Sequence, residues 1–380
     1  MRVMIDTIKL SLRITDPYVL RKGAFTPLSV HQLANAVGSS NRTYLNPTKS
    51  YTKIGKYMPR LTLHRRPNKN FGVKYILDIE FSGPKMLYGN NFDELSENDF
   101  EKLVKKIQEA VYELTGFRFF KHQIEEAEIT AWHPSKNIVF LDYTSSQTIL
   151  NTISKLDISR IYDLQNTDFR DGHIVHIHTN SKDIAFYDKL ADLRKAKVSE
   201  KRSIEKNNAI QLNLLEELSE AEPIEVLRYE IRLVGKRSVG KAYPDIKDLT
   251  FKNLFKDDLC KRVLIDHWKK LTSRVDMLEL DIERPYELLQ NYLIENQDVT
   301  PRTALAATSG LLIISQVGTC KLRNVLEAHY GKQVWGNVKK ILKSPNSYRF
   351  RSFVRVDEVL DRFIPIKMSE YKDLLKNSVK

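Results

Sequence analysis

Two stretches of ten residues alternate apolar and polar side chains, and this pattern fixes the kind of sheet that the chain can build. In residues 73–82 (VKYILDIEFS) one face carries Val73, Tyr75, Leu77, Ile79 and Phe81. In residues 225–234 (EVLRYEIRLV) one face carries Leu227, Tyr229, Ile231 and Leu233. Successive side chains of a strand point to opposite faces, so each strand has one face for a core and one polar face. This alternation is typical of antiparallel sheets.

The remaining pattern predicts an α+β fold with a mainly antiparallel sheet, flanking helices and a mainly helical C-terminal region. Residues 99–114 have a helical apolar stripe and are followed by Gly116 as a C-terminal cap. Shorter strands are predicted at 127–132, 138–142, 173–179 and 183–188, and exposed helices over 190–222. Beyond residue 240 helices dominate, with Thr300 and Pro301 as a helix start and Gly331 between two helices that resemble a helix-turn-helix. We therefore predict one domain with the sheet over 1–238 and a helical region over 239–380.

The net charge of the chain limits its partners. The formal charge is +13, which favours a polyanion, either nucleic acid or an acidic membrane surface, over the alternative of a merely solubilising surface. The two cysteines, Cys260 and Cys320, match no zinc or redox spacing. The apolar run at Leu311–Ile314 is too short to span a bilayer. These features predict a cytoplasmic protein that is not embedded in a membrane.

The polar faces of the two long strands carry acids beside bases. Asp78 and Glu80 project from one side of their strand, where they either hold a divalent cation or form a solvated outer face. On the other strand Glu230 lies between Arg228 and Arg232. That arrangement is either an ion-pair ladder or a metal ligand flanked by phosphate-binding guanidiniums. We expect Asp78 and Glu230 to converge over one sheet.

The segment 173–189 carries the strongest chemical signal. It reads as two strands joined by a turn, with Tyr187 and Lys189 expected on one strand face. A lysine there would stabilise a phenolate or the crowded charge of a phosphoryl group that the tyrosine attacks. His176 and His178 also share a face, as either a metal-binding pair or surface histidines on a hairpin.

Two basic stretches are candidate DNA contacts. Tyr51 and Tyr57 are interleaved in the first, which contains Lys53, Lys56, Arg60, His64, Arg65, Arg66 and Lys69. In the second, residues 348–355, Arg349, Arg351 and Arg355 alternate with aromatic residues, so it is either a phosphate- and base-binding segment or an amphipathic strand. The helical C-terminal part is the candidate for binding duplex DNA.

Four segments in one order resemble the filamentous-phage replication initiators, the gene II protein family, and more loosely the plasmid rolling-circle initiators. Met4–Asp6 precedes a first strand, and residues 77–90 (LDIEFSGPKMLYGN) are similar to the family's acidic strand and Lys-x-Leu-x-Gly turn. Residues 185–189 (AFYDK) resemble its Tyr-x-Lys strand, and residues 227–232 (LRYEIR) its Arg-x-Glu-x-Arg strand.

The resemblance implies rolling-circle initiation by site-specific, metal-dependent nicking of origin DNA through a 5′-phosphotyrosyl intermediate. Tyr187 would be the nucleophile, and Asp78 and Glu230 would bind the metal. His133 stands where the family has an acid, and an imidazole favours manganese over magnesium. The alternatives are a mobilisation relaxase and a non-catalytic DNA-binding regulator. The chain contains no P-loop, which implies a partner helicase from the host.

Overall fold

The structure is a computed structural model that divides into two compact units. Residues 1–143, 181–264 and 362–380 form the first unit, the sheet unit, and residues 144–180 and 265–361 form the second, the helical unit. The structure describes residues 4–20, 22–35, 41–47, 51, 55–68, 72–140, 145–156, 158, 162, 164–170, 173–196, 225–272, 285–342 and 351–367.

Nine strands lie within these described residues. They are β1 (Ile5–Ile14), β2 (Arg42–Leu45), β3 (Arg60–Asn68), β4 (Gly72–Ser82), β5 (Glu128–Phe140), β6 (Leu164–Arg170), β7 (Ile174–Thr179), β8 (Asp183–Asp188) and β9 (Glu225–Val234). Seven of them build the sheet unit in the order β2-β3-β4-β1-β5-β9-β8, every pair antiparallel. β6 and β7 pair antiparallel in the helical unit. The predicted antiparallel sheet is confirmed.

The helices are mostly short before residue 250 and long after it. They are α1 (Val30–Ala34), α2 (Gly83–Tyr88), α3 (Phe100–Thr115), α4 (Lys121–Glu125), α5 (Ser146–Lys155), α6 (Lys189–Ala196), α7 (Lys236–Ala242), α8 (Phe251–Leu254), α9 (Asp257–Thr272), α10 (Pro285–Glu295), α11 (Pro301–Val317), α12 (Thr319–Tyr330), α13 (Val334–Ile341) and α14 (Arg351–Arg362). The α+β class and the helical C-terminal region are therefore confirmed.

The alternation in β4 and β9 has the predicted consequence. Leu77, Ile79 and Phe81 are buried on the apolar face of β4. Helices cover that face through aromatic contacts: the ring of Phe251 in α8 lies 6.4 Å from Phe81 and 5.0 Å from Phe100 of α3, centroid to centroid. Helix α3 ends at Gly116 with φ +74°, as expected of a glycine cap. The polar side chains of β4 therefore lie on the opposite face of the sheet, away from these helices.

One strand replaces two predicted ones. The expected strands 127–132 and 138–142 are a single strand, β5, because Lys136 and Asn137 are buried there although their side chains are polar. Glu94 compensates both: it accepts hydrogen bonds from Lys136 Nζ (2.6 Å) and from the Asn137 amide (2.6 Å). A buried polar group is tolerated when it has such a partner, and the sequence pattern does not reveal the partner.

Glu94 also binds the chain segment that follows α14. The amide of Ile366 donates to its carboxylate at 3.0 Å, and Lys136 Nζ donates to the carbonyl of Ile364 at 3.0 Å. Residues 362–367 thus complete the sheet unit beside β5, far along the chain from the rest of it.

The helical unit has its own core. Trp335, Leu311, Ile314 and Ala307 are buried together with neighbouring apolar side chains of α10, α11 and α13. Thr300 caps α11 by accepting a hydrogen bond from the Thr303 amide, as predicted. The helix pair α12 and α13 is broken at Gly331, where φ is +85°. Its predicted role in binding DNA stays a prediction.

The two units differ from the predicted division at residue 238. Residues 239–264 belong with the sheet, and residues 144–180 belong with the helices. In addition, residues 351–355 begin a helix rather than a strand. Among the described residues no helix is both long and apolar enough to cross a bilayer.

Candidate active site

The polar face of the sheet unit gathers the predicted chemistry on three adjacent strands. The register pairs Tyr187 of β8 with Arg228 of β9, and Ala185 with Glu230. It also pairs Glu230 with Ser135 of β5, and Arg228 with Asn137. Residues directly opposite each other in an antiparallel pair share a face, so these polar side chains form one cluster.

Tyr187 is half-buried at the end of β8, and its hydroxyl is directed at Glu230. The hydroxyl oxygen lies 3.5 Å from Glu230 Oε2, the limit of a hydrogen bond. Burial, and after it the negative charge of Glu230, raise the pKa of Tyr187 well above its usual value. The phenol therefore keeps its proton in this arrangement, and forming a phenolate there requires added positive charge.

Glu230 is a buried, ionised carboxylate at the centre of the cluster. Its Oε1 lies 3.3 Å from His133 Nδ1 and 3.3 Å from Arg232 Nε. Burial by itself raises the pKa of this carboxyl, but Arg232, the hydrogen bond from His133 and Arg228 outweigh it and hold the pKa well below its usual range. Glu230 is thus a permanent negative charge that accepts from Tyr187.

Lys189 does not lie on the strand, in contrast to the prediction. β8 ends at Asp188, whose carboxylate accepts a hydrogen bond from the Ala191 amide at 3.0 Å and so starts helix α6 at Lys189. The ammonium nitrogen nevertheless lies 5.6 Å from the centroid of the Tyr187 ring. The predicted proximity of the two side chains is therefore present, but a helix start produces it.

Lys189 is a buried amine without a bound anion. Only 1% of the residue is exposed, and among the described residues its ammonium makes no hydrogen bond or ion pair. Burial, and next the positive charge of Arg228, lower the pKa of Lys189 to about 7. A charge that is buried without a partner is costly, so an anionic ligand at this position would be strongly favoured.

Asp6 is the residue of the cluster that sequence reasoning missed as a site residue. Its Oδ1 lies 3.2 Å from Arg228 Nη2 and accepts a hydrogen bond from Ser82 Oγ at 3.2 Å. Burial raises the pKa of Asp6, yet the charge of Arg228 more than offsets this and lowers it overall. The only available signal was its position at the start of the first strand, within the segment that carries the resemblance.

Arg228 is a structural centre of the cluster in this arrangement. It is 1% exposed, and it donates to Asn137 Oδ1 at 3.0 Å and to Ser135 Oγ at 3.0 Å besides binding Asp6. Both terminal nitrogens of its guanidinium are therefore occupied and only the buried Nε lacks a partner among the described residues, whereas Arg232 is half-buried and shares Glu230 with His133. Of the two predicted phosphate contacts on β9, Arg232 is the more accessible.

His133 presents one ring nitrogen that has no partner. Nδ1 faces Glu230, and the buried Nε2 has no hydrogen bond among the described residues. An imidazole nitrogen in this state can donate to, or ligate, a group that enters the cluster.

Asp78 does not converge with Glu230. β4 and β9 are separated by β1 and β5, so the two carboxylates are at least three strand spacings apart, about 14 Å. Asp78 binds Ser11 Oγ at 2.5 Å, His64 Nε2 at 3.0 Å and Lys9 Nζ at 3.2 Å. Glu80 is more exposed and lies 3.9 Å from Lys9 Nζ. The expected convergence fails because sequence alternation gives the face of a residue but not the order of the strands.

The two histidines of β7 share a face, as predicted, but they belong to the helical unit. The rings of His176 and His178 lie 4.6 Å apart, and His178 Nε2 lies 3.9 Å from Asp168 Oδ2 on β6. Val175 and Ile177 fill the opposite, buried face of the strand. Their metal-binding role stays a prediction.

The basic stretches lie in three different settings. On β3 Arg66 is exposed, while Arg65 faces the other side of the sheet, is half-buried, and has an Nε without a partner in the described residues. Arg351 starts α14. Arg349 lies outside the described residues, as do Lys53 and Lys69, so the structure leaves those contacts as predictions.

The cluster combines a tyrosine hydroxyl, an ionised glutamate, an unpaired buried lysine and a partnerless imidazole nitrogen. These groups can position a nucleophilic oxygen beside positive charge, which is the arrangement that phosphoryl transfer needs. Comparison of the chain with family models, with curated proteins and with solved structures yields no match. The functional argument therefore rests on the residues themselves.

Proposed function

We propose that the sheet unit cleaves one strand of DNA with Tyr187 as the nucleophile, as a rolling-circle replication initiator does. Its partners would be origin DNA and a host helicase, and its place of action the cytoplasm, that of the host cell if a phage encodes it. The observation that carries the proposal is the pairing of Tyr187 with the buried, anion-free Lys189.

The reaction balances with groups of this cluster. The Tyr187 oxygen forms a bond to the scissile phosphorus while the bond from phosphorus to the 3′ oxygen breaks. The phenol proton is released to solvent as the bond to phosphorus forms, while Glu230 orients the hydroxyl through the hydrogen bond that it accepts. The departing 3′ oxygen takes a proton from water. The products are a 5′-phosphotyrosyl enzyme and a free 3′-hydroxyl that can prime synthesis.

The charged side chains have separate tasks in this mechanism. Lys189 in its ammonium form binds the non-bridging phosphate oxygens and stabilises the charge that develops there. Arg232 contributes a second cation, while the Arg228–Asp6 pair orients β9 and holds Glu230 against His133. An incoming phosphate raises the pKa of Lys189 again, because an adjacent anion favours the charged form.

A divalent cation, Mg²⁺ or Mn²⁺, fits the donor set of the cluster. Glu230 and Asp6 are the residues that would hold it, whereas His133 Nε2 points away from Glu230 because the other ring nitrogen, Nδ1, faces that carboxylate. Among the described residues no group of three His, Cys, Asp or Glu side chains is arranged around such an ion, so phosphate oxygens and water would complete its ligands. Magnesium is commonly bound by one or two carboxylates together with substrate phosphate oxygens. When bound, the ion would polarise the scissile phosphate and neutralise part of its charge. Metal dependence thus stays part of the proposal, now centred on Glu230 instead of the Asp78–Glu230 pair.

The test uses Tyr187→Phe, which removes one oxygen and keeps the ring. The variant is incubated with supercoiled origin plasmid and divalent metal, and protein linked to a 5′ end is detected on a denaturing gel. We expect normal DNA binding but no nicked circle and no covalent adduct. Tyr75→Phe is the matched control, since Tyr75 is a half-buried strand tyrosine on the other face of β4. An adduct formed by Tyr187→Phe at the wild-type rate would refute the assignment.

A further inference from the structure

The other half of the same polar face carries a set of unpaired cations. On β2, β3, β4 and β1 the register brings onto this face Arg42, Arg60, Arg66, Lys74, Arg13 and Lys9. Lys9 binds Asp78 and Glu80. The other five make no ion pair within the described part of the chain. By contrast, Lys56, which lies off this face, is paired with Glu113 at 2.6 Å. Five cations without an ion pair in the described part of the chain thus lie together on this face.

Tyr44 lies between two of these arginines. The Arg42 guanidinium carbon is 5.7 Å and that of Arg60 is 5.4 Å from the centroid of the Tyr44 ring. The ring is half-buried, and both arginines are exposed. Thr43 and Leu45, which alternate with Arg42 and Tyr44, are buried on the opposite face, so the ring is held on the polar side by the strand itself. We call Arg42, Tyr44 and Arg60 the arginine–tyrosine platform.

The platform has the chemistry of a binding site for unpaired nucleotides. Guanidiniums bind phosphates through paired hydrogen bonds, and an aromatic ring stacks on a base whose own partner strand is absent. In duplex DNA the base faces are already stacked inside the helix, so a flat ring on a sheet cannot reach them. The combination therefore favours single-stranded over duplex DNA.

The platform and Tyr187 lie on one continuous face. Asp78, Glu80 and Ser82 follow each other along the polar side of β4, and Ser82 Oγ donates to Asp6 in the Tyr187 cluster. Five strand spacings separate β3 from β8, about 24 Å. That distance corresponds to about seven nucleotides of a stacked strand, at about 3.4 Å for each phosphate.

We propose that the arginine–tyrosine platform binds the single-stranded DNA segment next to the strand that Tyr187 cuts. The inference rests on the proposed function for its location relative to the cut, while the binding itself can be measured separately. The DNA would run across the sheet from β8 to β2 with its backbone on the cations and one base on Tyr44.

The experiment measures binding of a fluorescent oligonucleotide of about 12 nucleotides by anisotropy, within the site sizes that such surfaces occupy. All proteins carry Tyr187→Phe so that no adduct forms. For Arg42→Gln combined with Arg60→Gln we expect weaker binding and a log–log salt slope flatter by about 1.4, from two lost phosphate contacts at about 0.7 each. Tyr44→Ala should weaken binding about 5- to 150-fold, the range for one lost base stack.

The controls use an equivalent pair elsewhere in the sheet unit. Arg118 lies 5.3 Å from the ring centroid of Tyr112, and Arg118 and Arg237 are both exposed and lie outside the strands of the sheet. Arg118→Gln with Arg237→Gln removes the same charge, and Tyr112→Ala removes a comparable ring. We expect these variants to bind as the parent does.

Three outcomes would decide against the proposal. One is an unchanged salt slope in the Arg42 and Arg60 variant, another is equal loss in the control variants, and a third is binding to anionic vesicles but not to the oligonucleotide. The proposed function is checked separately by adduct formation with Tyr187 intact. If the platform variants weaken oligonucleotide binding but wild type forms no adduct, the proposed nuclease activity is wrong and the platform proposal stands. If wild type forms the adduct but the platform variants bind the oligonucleotide as the parent does, the nuclease proposal stands and the platform proposal is wrong.

Discussion

Two buried carboxylates, Asp78 and Glu230, lie on the polar face of one sheet. They differ in whether the polar groups around them all have hydrogen-bond or ion-pair partners. Asp78 is held by three donors, a serine, a histidine and a lysine. Glu230 is also buried and has four donor contacts, two from Arg232, one from His133 and one from the Tyr187 hydroxyl at 3.5 Å. The difference lies in its neighbours, since the Nε2 of His133 has no partner among the described residues. Lys189, without an anion among the described residues, lies beside the same phenol.

This difference separates a structural cluster from a site that awaits a ligand. Each buried polar group that lacks a partner costs about 1–3 kcal/mol, so a fold gains stability by closing such a network. The Asp78 cluster is closed and can act as a structural pin between β1, β3 and β4. The Glu230 cluster is left open, which is expected where a phosphate or a metal ion supplies the missing partners.

The first prediction, which has the largest expected effect, tests the difference between the two clusters by neutralising each acid in turn. We expect Glu230→Gln to lower DNA cleavage by about 10²-fold or more, because an electrostatic group of the reaction is lost. Asp78→Asn should leave the cleavage rate within a few-fold of wild type. Single-turnover nicking of supercoiled plasmid in Mn²⁺ measures both, with oligonucleotide binding and circular dichroism as checks on folding. Equal loss of cleavage in the two variants would remove the distinction between the clusters.

The second prediction concerns the stability cost of Lys189. The pKa of Lys189 is about 7 in the folded chain, below its usual value of 10.5. Between those two pH values the unfolded chain binds a proton that the folded chain lacks, so this residue makes stability rise with pH across the window. Lys189→Met should therefore be more stable than wild type at pH 7, by a few kcal/mol at about 1.4 kcal/mol for each pKa unit.

The measurement is urea unfolding of both proteins at intervals from pH 7 to pH 10. The advantage of Lys189→Met should shrink as the pH rises, while its nicking activity is lost. Asp188→Asn is a useful control, since it changes the adjacent helix cap without touching the buried ammonium. Parallel stability curves for wild type and Lys189→Met would show that the lysine is already neutralised by a partner.

The third and smallest effect lies in the Asp78 cluster. Burial raises the pKa of Asp78, but the hydrogen bonds from His64 and Ser11 and the charge of Lys9 lower it below its usual value overall. Its contribution is therefore complete above the unfolded pKa of about 3.9 and is lost as the pH falls through the lower, folded value. Asp78→Asn should cost about 1–3 kcal/mol at pH 7 and progressively less in acid.

Thermal or urea unfolding at pH 7 and pH 3 checks this, with Glu80→Gln as the control. Glu80 is half-exposed and meets Lys9 only at 3.9 Å, so its loss should cost under about 0.5 kcal/mol. A cost for Glu80→Gln as large as that for Asp78→Asn would contradict the view of Asp78 as the pin.

The sequence predicts the parts of this fold that follow from local periodicity. The strands at 73–82 and 225–234, the helix that follows Phe100 and the glycine at 116 all come from alternation, a 3.6-residue stripe or a cap. Strand β5 could not be predicted as one element, because Lys136 and Asn137 are paired with Glu94, over 40 residues earlier in the chain. Such long-range compensation leaves no local pattern.

The site divides in the same way. The neighbours Tyr187, Arg228, Glu230 and Arg232 follow from two strands that happen to pair, and the resemblance supplied the order of their segments. Asp6 was missed, and Asp78 was placed with the wrong partner, because both depend on β1 and β5 lying between β4 and β9. Strand order is a property of the whole chain, so residue types and spacing alone do not contain it.

The return of residues 362–367 to Glu94 has a consequence for the order in which the protein is made. The sheet unit is interrupted after Leu264, and the chain resumes it only at Arg362. At synthesis rates of about 5–20 residues per second, the ribosome spends about 5–20 s on the intervening helices. Throughout that time Lys136 and Glu94 lack the backbone groups of Ile364 and Ile366 that they bind in the finished fold. The sheet of the nascent chain therefore lacks these hydrogen bonds until residues 265–361 and the segment that follows them have been synthesised.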